Sequence, residues 1–420
     1  MNNLKKIVFK NGLTIIYGYN DNSMGVGIMI TAKCGLIIEP EDMQGASHFI
    51  EHMLFKGTKK RNAYQIGFDL DKIGTFSNAF TTKERTAYYA VSLQEHAEEC
   101  MEILSDMYFN ATFPADEFDK EKSVIFEELN ESIDDHGDFC FTNATKLYYG
   151  DTIFGGEIVG TEESLKRITV EKLKAFKEEH YTANNTIITI YGNITEKDAV
   201  NLVEKYCENN FKCENKDFER AILTPHYGVV KTKRDINQNY LEIILPGYDA
   251  FSEKRRIAGV FTSILGGGFS SRLFQELREK RALCYSVDAS NTVYTTSGFS
   301  KISSSFNSNK TEDVLHGIKD VAKTLLDKGI SQDELNLVKE QAKTAFVLSA
   351  ESTLGMTKTI NSEYAITGKL FNAEEIVKQI NAVSVDDVMD VAKEVLDFKK
   401  SAISFLGSNT DIDIEKIMQG

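Results

Sequence analysis

The sequence has no excess of basic residues, and this argues against a general nucleic-acid-binding protein. Its 420 residues carry a formal net charge of −15 at pH 7, whereas a nucleic-acid binder is expected to present a basic patch. The acidic balance fits solubility, or partners that are cationic or neutral. We therefore expect no nucleic-acid partner.

Paired cysteines and long apolar runs are also absent. The sequence contains no Cys-x-x-Cys pair, so it predicts neither a disulfide framework nor a finger-type metal site. No window approaches the roughly 18 apolar residues of a membrane span, and residues 1–10 lack an apolar stretch of signal-peptide length. These features predict a cytoplasmic protein with no membrane partner. The six cysteines are Cys34, Cys100, Cys140, Cys207, Cys213 and Cys284.

An internal repeat is the clearest organisational signal. Thr169 and Ser384 each open a helix-like stretch, and each stretch leads through a strand-like run to a glycine, at Gly192 and Gly407. The two stretches have the same length and are offset by 215 positions. An offset of half the chain predicts a duplicated domain, although two short helix–strand units can also look alike by chance.

The expected junction is the polar, charged stretch 208–226, which ends near Pro225. We therefore predict two homologous domains, residues 1–215 and 225–420. Strand-like and helix-like segments do not alternate strictly in either half. The predicted fold class is α+β, with each domain a mostly antiparallel sheet that has helices packed on one face.

The sequence His48-Phe-Ile-Glu51-His52 reads H-x-x-E-H. On a helix, positions i and i+4 lie on one face, so both imidazoles can reach one cation. Zinc accepts imidazole and carboxylate ligands and leaves one position open in a catalytic site. Glu51 is then predicted to act as the general base towards water. The alternative is a pair of solvated histidines on an ordinary helix.

A catalytic zinc needs a third protein ligand, and the acid-rich helix predicted at residues 117–132 offers candidates. Glu121 and Glu128 are two turns apart and share a face, Glu131 lies close to that face, and Glu127 points elsewhere. Acidic helices are commonly solvated, so the residues alone leave the choice open.

Residues 45–58, which contain the H-x-x-E-H motif, resemble the metal motif of the pitrilysin/insulinase family, the inverted zincins. The most similar branch contains the mitochondrial processing peptidase and short bacterial homologues. The resemblance implies a zinc endopeptidase in which Glu128, 76 residues after His52, is the third ligand. It also implies that Glu121 orients a ligand histidine, a role that Glu131 could share.

Two further segments resemble substrate-binding parts of this family. Residues 74–81 resemble its edge strand, in which Asn78 and Ala79 match the positions that bind an extended peptide by strand addition. Residues 277–286 resemble its arginine–tyrosine segment. The resemblance implies that Arg278 and Tyr285 contact the substrate and stabilise the carbonyl oxygen during catalysis. Ala282 stands where the family usually has glycine.

Similar family members enclose peptides in a chamber of four such domains. One chain supplies two, so the resemblance predicts a homodimer or a pairing with a related subunit, with peptides or unfolded segments cut inside by a zinc-bound water. One alternative is a non-catalytic subunit, although this chain keeps every metal-site residue. Another is a different zinc hydrolase or a structural metal protein, which would need a fourth protein ligand that the sequence does not offer.

Overall fold

The computed structural model describes residues 4–150, 152–211 and 223–420. The predicted junction at 208–226 therefore falls largely outside the described residues, and Cys213 lies outside them too. In the part of the chain that is described, no helix is both long and apolar enough to cross a membrane.

The strands are short and rich in β-branched and aromatic residues, which suit a pleated, partly buried surface. They are β1 (Leu4–Val8), β2 (Thr14–Tyr19), β3 (Gly25–Ala32), β4 (Phe76–Thr81), β5 (Thr86–Leu93), β6 (Thr186–Gly192), β7 (Gly228–Lys233), β8 (Gln238–Pro246), β9 (Ser286–Val293), β10 (Gly298–Asn307) and β11 (Ala402–Gly407).

The α-helices are α1 (Ala46–Met53), α2 (Ala63–Lys72), α3 (Ala97–Asn110), α4 (Ala115–Asp134), α5 (His136–Tyr149), α6 (Glu162–Arg167), α7 (Val170–His180), α8 (Glu196–Tyr206), α9 (Lys254–Gly266), α10 (Thr311–Lys328), α11 (Gln332–Glu351), α12 (Thr353–Thr367), α13 (Ala373–Ala382), α14 (Val385–Val395) and α15 (Ile414–Gln419). A π-helical segment, Phe274–Lys280, precedes β9.

The first compact unit comprises the described residues within Met1–Asn130, Glu157–Glu219 and Phe346–Ala373. Its sheet has the strand order β1-β2-β6-β3-β5-β4. Only the β2–β6 pair is parallel, and the other neighbours are antiparallel. The strand β4, which carries Asn78 and Ala79, therefore lies at one edge of this sheet.

The second compact unit comprises the described residues within Glu131–Gly156, Arg220–Ala345 and Glu374–Gly420. Its sheet has the order β7-β11-β8-β10-β9, and only the β7–β11 pair is parallel. Strand for strand, this order and these directions repeat β2-β6-β3-β5-β4 of the first unit. The predicted α+β class with two similar domains is therefore confirmed.

The sequence repeat has a structural counterpart in each unit. Thr169 caps the start of α7, since its side chain accepts a hydrogen bond from the Lys172 N–H group, and Ser384 caps α14 in the same way through Asp387. Each helix leads to an inner strand, β6 or β11, that is parallel to one neighbour and antiparallel to the other. The 215-residue offset thus relates equivalent elements.

The two faces of each sheet are covered differently. In β3, Val26, Ile28 and Ile30 enter the main core with the helices. Side chains on the other face of β3 meet α12: Met29 packs with Leu354, and the Thr31 hydroxyl donates to the buried Asn361. The prediction placed helices on one face of the sheet, whereas the structure also has a helix, α12, on the opposite face.

The helices on these second faces come from the other half of the chain. The helix α12 belongs to the second half of the sequence but packs on β3 and β6 of the first unit. The helix α5 belongs to the first half but packs on β8 and β11 of the second unit, where the Cys140 thiol contacts Ser404. The halves of the chain therefore exchange one helix each.

Candidate metal centre

The helix α1 carries the H-x-x-E-H residues and is fixed at its first turn by a buried carboxylate. It begins after Gly45, whose φ is 93°. The main-chain N–H groups of Gly45 and Ser47 each donate a hydrogen bond of 2.7 Å to Glu39. Burial raises the pKa of Glu39 to about 7, although these hydrogen bonds lower it. Glu39 thus caps α1 from outside the helix.

Packing also fixes α1 against α4. The ring of Phe49 stacks on that of Phe118, with centroids 4.8 Å apart and planes 3° from parallel. Phe49 is fully buried, whereas His48, Glu51 and His52 on the more polar side of α1 are partly exposed. This packing brings the histidines of α1 to the acidic face of α4.

His48, His52 and Glu128 converge on one point. The Nε2 atoms of His48 and His52 each lie 3.6 Å from Glu128 Oε2, and one ligand atom from each residue lies within 4.8 Å of the other two. Tetrahedral ligands about 2.1 Å from a zinc ion would be roughly 3.4 Å apart. The spacing and the chemistry of this donor set therefore fit zinc.

The protonation state of His48 also suits a metal ligand. Burial, and secondarily the charge of His52, lower the pKa of His48 to about 4. A neutral imidazole keeps a lone pair for a metal, whereas a protonated one does not. His48 is therefore ready to bind a cation at neutral pH.

Glu121 connects the second histidine to a lysine. Its Oε2 atom lies 2.9 Å from His52 Nδ1, and its Oε1 atom lies 2.5 Å from Lys56 Nζ. A carboxylate on Nδ1 leaves Nε2 of the same ring free to face a metal. Glu131 lies further along α4 with an exposed side chain.

The Glu51 carboxylate is partly buried and accepts a hydrogen bond of 2.5 Å from the hydroxyl of Thr81. Burial raises the pKa of Glu51 above its ordinary value, while the Thr81 hydrogen bond acts in the opposite direction. A raised pKa suits a group that must both take and return a proton near neutral pH.

The edge strand β4 pairs with β5 on one side. On this strand Asn78 is exposed, and its side-chain oxygen accepts a hydrogen bond of 2.8 Å from the N–H group of Ala79. An edge strand presents main-chain groups that a further strand could pair with. These are the two residues that the sequence predicts for peptide binding.

Arg278 and Tyr285 lie together in the second unit. The guanidinium of Arg278, in the π-helical segment, lies 5.7 Å from the ring centroid of Tyr285 and 4.8 Å from that of Phe274. Tyr285 is 70% exposed. Between the two, Ala282 has a φ of 48°, in the left-handed region. The structure thus brings the predicted pair side by side at an accessible surface.

The sequence did not point to three of these contacts. Thr81 reaches Glu51 of α1 from 30 residues further along the chain. Glu39 folds back onto the start of α1 from a few residues before it, and Lys56, which follows α1, reaches Glu121 on α4. The polar Thr81 at the end of a predicted edge strand, and the acidic Glu39 just before the metal helix, were the available signals. Neither of these two signals identifies which residue Thr81 or Glu39 contacts unless the fold is known.

Comparisons with known proteins agree with this arrangement. Residues 14–162 match the family model described as insulinase, peptidase family M16, and residues 167–342 match the model described as the M16 inactive domain. The chain is 32% identical to an uncharacterized zinc protease of Bacillus subtilis over 96% of this chain and 99% of that protein. It is 31% identical to one of Rickettsia felis over 94% of each.

Solved structures share the fold. A protease from Helicobacter pylori superposes with a TM-score of 0.90 at 21% identity, covering 96% of this chain and 99% of the other. A chain of complex III2 from Candida albicans gives 0.86 at 18% identity, covering 99% and 98%. At these identities the likeness concerns the fold alone. The family models and the Bacillus and Rickettsia relatives go further: this chain belongs to the insulinase family of peptidases, family M16.

Proposed function

We propose that this chain is a zinc-dependent endopeptidase that hydrolyses peptides or unfolded segments. The observation that carries the proposal is the convergence of His48, His52 and Glu128 on one point, with the partly buried carboxylate of Glu51 on the same helix as the two histidines. Two imidazoles and one carboxylate leave a fourth position for water or substrate, as in catalytic zinc sites. The zinc protease names of the relatives support the choice of metal.

Bound zinc would acidify water and polarise a carbonyl group. Glu51 accepts the proton of the attacking water and later donates it to the leaving amine. Partial burial keeps this carboxylate away from bulk solvent, and Thr81 donates a hydrogen bond to it. Glu121 keeps His52 in the tautomer that has Nε2 free, and Glu131 has a supporting role on the same helix.

The peptide binds in extended form along β4. Main-chain hydrogen bonds to an added strand do not depend on side chains, so the enzyme accepts varied sequences at Asn78 and Ala79. The Asn78 amide, which bonds to the Ala79 N–H group here, turns to the substrate when the strand is added.

Arg278 and Tyr285 stabilise the developing negative charge on the carbonyl oxygen, since a guanidinium and a phenol are both strong donors. We propose that they come from a second copy of the chain, in a homodimer or with a related subunit, and that the pair encloses the peptide in a chamber.

The five cysteines among the described residues are free thiols, which fits a reducing, cytoplasmic environment.

The test uses purified wild type and Glu51→Gln with a library of quenched fluorescent peptides, together with zinc analysis of both proteins. We expect wild type to cleave and Glu51→Gln to retain zinc but lose turnover. If both bind zinc, form well-folded dimers and leave every peptide intact, the chain is not an independent peptidase, and the non-catalytic subunit takes its place.

A further inference from the structure

Thr81 is the last residue of β4, and its hydroxyl has one proton to donate. That hydroxyl lies 2.5 Å from Glu51 Oε2 and 3.5 Å from the hydroxyl of Thr86, its cross-strand neighbour. The Thr86 hydroxyl donates its own proton to the Cys34 carbonyl oxygen at 2.9 Å. The shorter distance and the charged acceptor assign the Thr81 proton to Glu51.

This hydrogen bond restricts a side chain that otherwise has three rotatable bonds. Glu51 is partly buried, and a carboxylate that is shielded from water needs a hydrogen-bond donor. With Oε2 held by Thr81, the orientation of the second oxygen is limited. A restricted general base loses less freedom when it meets its proton donor, and small displacements of such a group reduce rates strongly.

The same contact links Glu51 to the edge strand. Thr81 follows Asn78 by three positions, roughly 10 Å along an extended strand. The backbone of β4 therefore positions both a peptide that pairs with this strand and the Glu51 carboxylate that Thr81 holds. The register of the peptide along β4 then determines which peptide bond lies beside Glu51.

We infer that Thr81 is a positioning residue that orients Glu51 and aligns it with the peptide bound on β4. This inference rests on the proposed endopeptidase function. Thr81 need not touch the substrate, because it acts through Glu51.

The test compares Thr81→Val with Thr81→Ser, each loaded with zinc. Valine keeps the branched shape and suits a strand, but it removes the hydroxyl, whereas serine keeps it. For Thr81→Val we expect kcat to fall about 10- to 100-fold, with KM within about twofold and zinc content unchanged. For Thr81→Ser we expect kcat within about threefold of wild type, because the donor is restored.

Thr86→Val is the matched control. It removes a fully buried threonine hydroxyl at the paired position of the same hairpin but leaves the Thr81–Glu51 contact in place. We expect its kcat to stay within about threefold of wild type even if its thermal midpoint falls. Equal losses of kcat in Thr86→Val and Thr81→Val, or no rescue by serine, would overturn the inference.

Crystal structures of wild type and Thr81→Val supply a readout that does not depend on activity. We expect the Glu51 carboxylate to change rotamer or become disordered in Thr81→Val. An unchanged, ordered Glu51 contradicts the inference. If wild type cleaves no peptide, the proposed function fails, while the Glu51 conformations still decide whether the Thr81 hydroxyl orients this side chain.

Discussion

The Oε2 atom of Glu121 lies 2.9 Å from Nδ1 of His52. This contact fixes the ring through the nitrogen that faces away from Glu128, and carboxylates in this position commonly support a histidine as a metal ligand. We predict that Glu121→Gln, which keeps the shape but loses the charge, weakens zinc binding about 10- to 100-fold. Competition with a chromophoric chelator measures this affinity.

Glu127→Gln is the control for that experiment, because Glu127 is exposed on the same helix and points away from the metal face. Its zinc affinity should equal that of wild type. Equal affinities for all three proteins would show that the charge of Glu121 does not support the metal site.

Mixing two inactive variants tests whether sites are shared between subunits. If Arg278 and Tyr285 serve the metal site of a partner, then Glu51→Gln mixed with the double variant Arg278→Ala, Tyr285→Phe regains activity. Random pairing makes half of the dimers mixed, and each has one complete site, so about a quarter of the wild-type rate should return. The measurement is peptide cleavage after subunit exchange.

Two outcomes contradict this arrangement. A mixture that stays as inactive as its components shows that each chain uses its own Arg278 and Tyr285, or neither. Wild type that sediments as a strict monomer and still cleaves rapidly excludes a shared site altogether. Co-purification of differently tagged copies of the two variants controls for exchange itself.

The buried cap of the metal helix predicts a pH dependence. Burial raises the folded-state pKa of Glu39 to about 7 from an ordinary 4.5. The folded protein then binds this proton more tightly than the unfolded chain, so its stabilising contribution is complete below about pH 4.5 and is lost as pH rises through about 7. The difference is of the order of 3 kcal/mol.

We predict that Glu39→Gln removes this part of the pH dependence, because an amide does not titrate. Thermal midpoints of metal-free wild type and variant between pH 4.5 and 8 give the difference, in which contributions common to both proteins, such as that of the buried Glu242, cancel. Glu41→Gln alters an exposed neighbour and should parallel wild type. Parallel curves for Glu39→Gln would mean that Glu39 titrates normally in the folded protein.

Ala282 offers a stabilising substitution. Its φ of 48° costs an alanine about 1 kcal/mol or more, which glycine avoids. Glycine also gives the unfolded chain more freedom, which offsets part of the gain. We predict that Ala282→Gly raises the free energy of unfolding by about 0.5 kcal/mol, measured by chemical denaturation.

The opposite change is expected where the backbone is already helical. Ala345 is an exposed residue within α11, so Ala345→Gly should lower the free energy of unfolding by up to about 1 kcal/mol. A loss of similar size in Ala282→Gly would mean that packing of the Ala282 methyl group outweighs its backbone strain.

Much of the candidate metal site was predictable because its spacing is local. His48, Glu51 and His52 lie within five positions, and helix geometry alone puts both imidazoles on one side. Helical spacing also predicts that Glu128 and Glu127 lie on different faces of their helix. The choice of Glu128 over Glu121 as the ligand came from the family resemblance. The sheets followed from their β-branched runs, whose repeated order in the two units matches the repeat in the sequence.

The contacts of Thr81 and Lys56 were not predictable because each joins segments that only the fold brings together. The contact of Glu39 is close in sequence, but it depends on how the loop before α1 folds back onto the helix. The exchanged helices were hidden for another reason. The face of α12 that meets β3 is partly polar, because it carries Thr357 and the buried Asn361. The sequence of α12 therefore lacks the continuous apolar stripe that would predict a buried helix. The apolar periodicity that identifies core helices therefore gives little signal here.

The exchange of α5 and α12 constrains how such a chain could have arisen. A gene for a single half would encode a sheet with one face open and a helix with no sheet of its own to cover. Two identical chains could each cover the open face of the other by exchanging that helix, as in a domain-swapped dimer. Fusion of the two genes would then have retained the exchange within one polypeptide. Neither half should be expected to fold well as an isolated fragment, whereas the two fragments supplied together retain every covering helix.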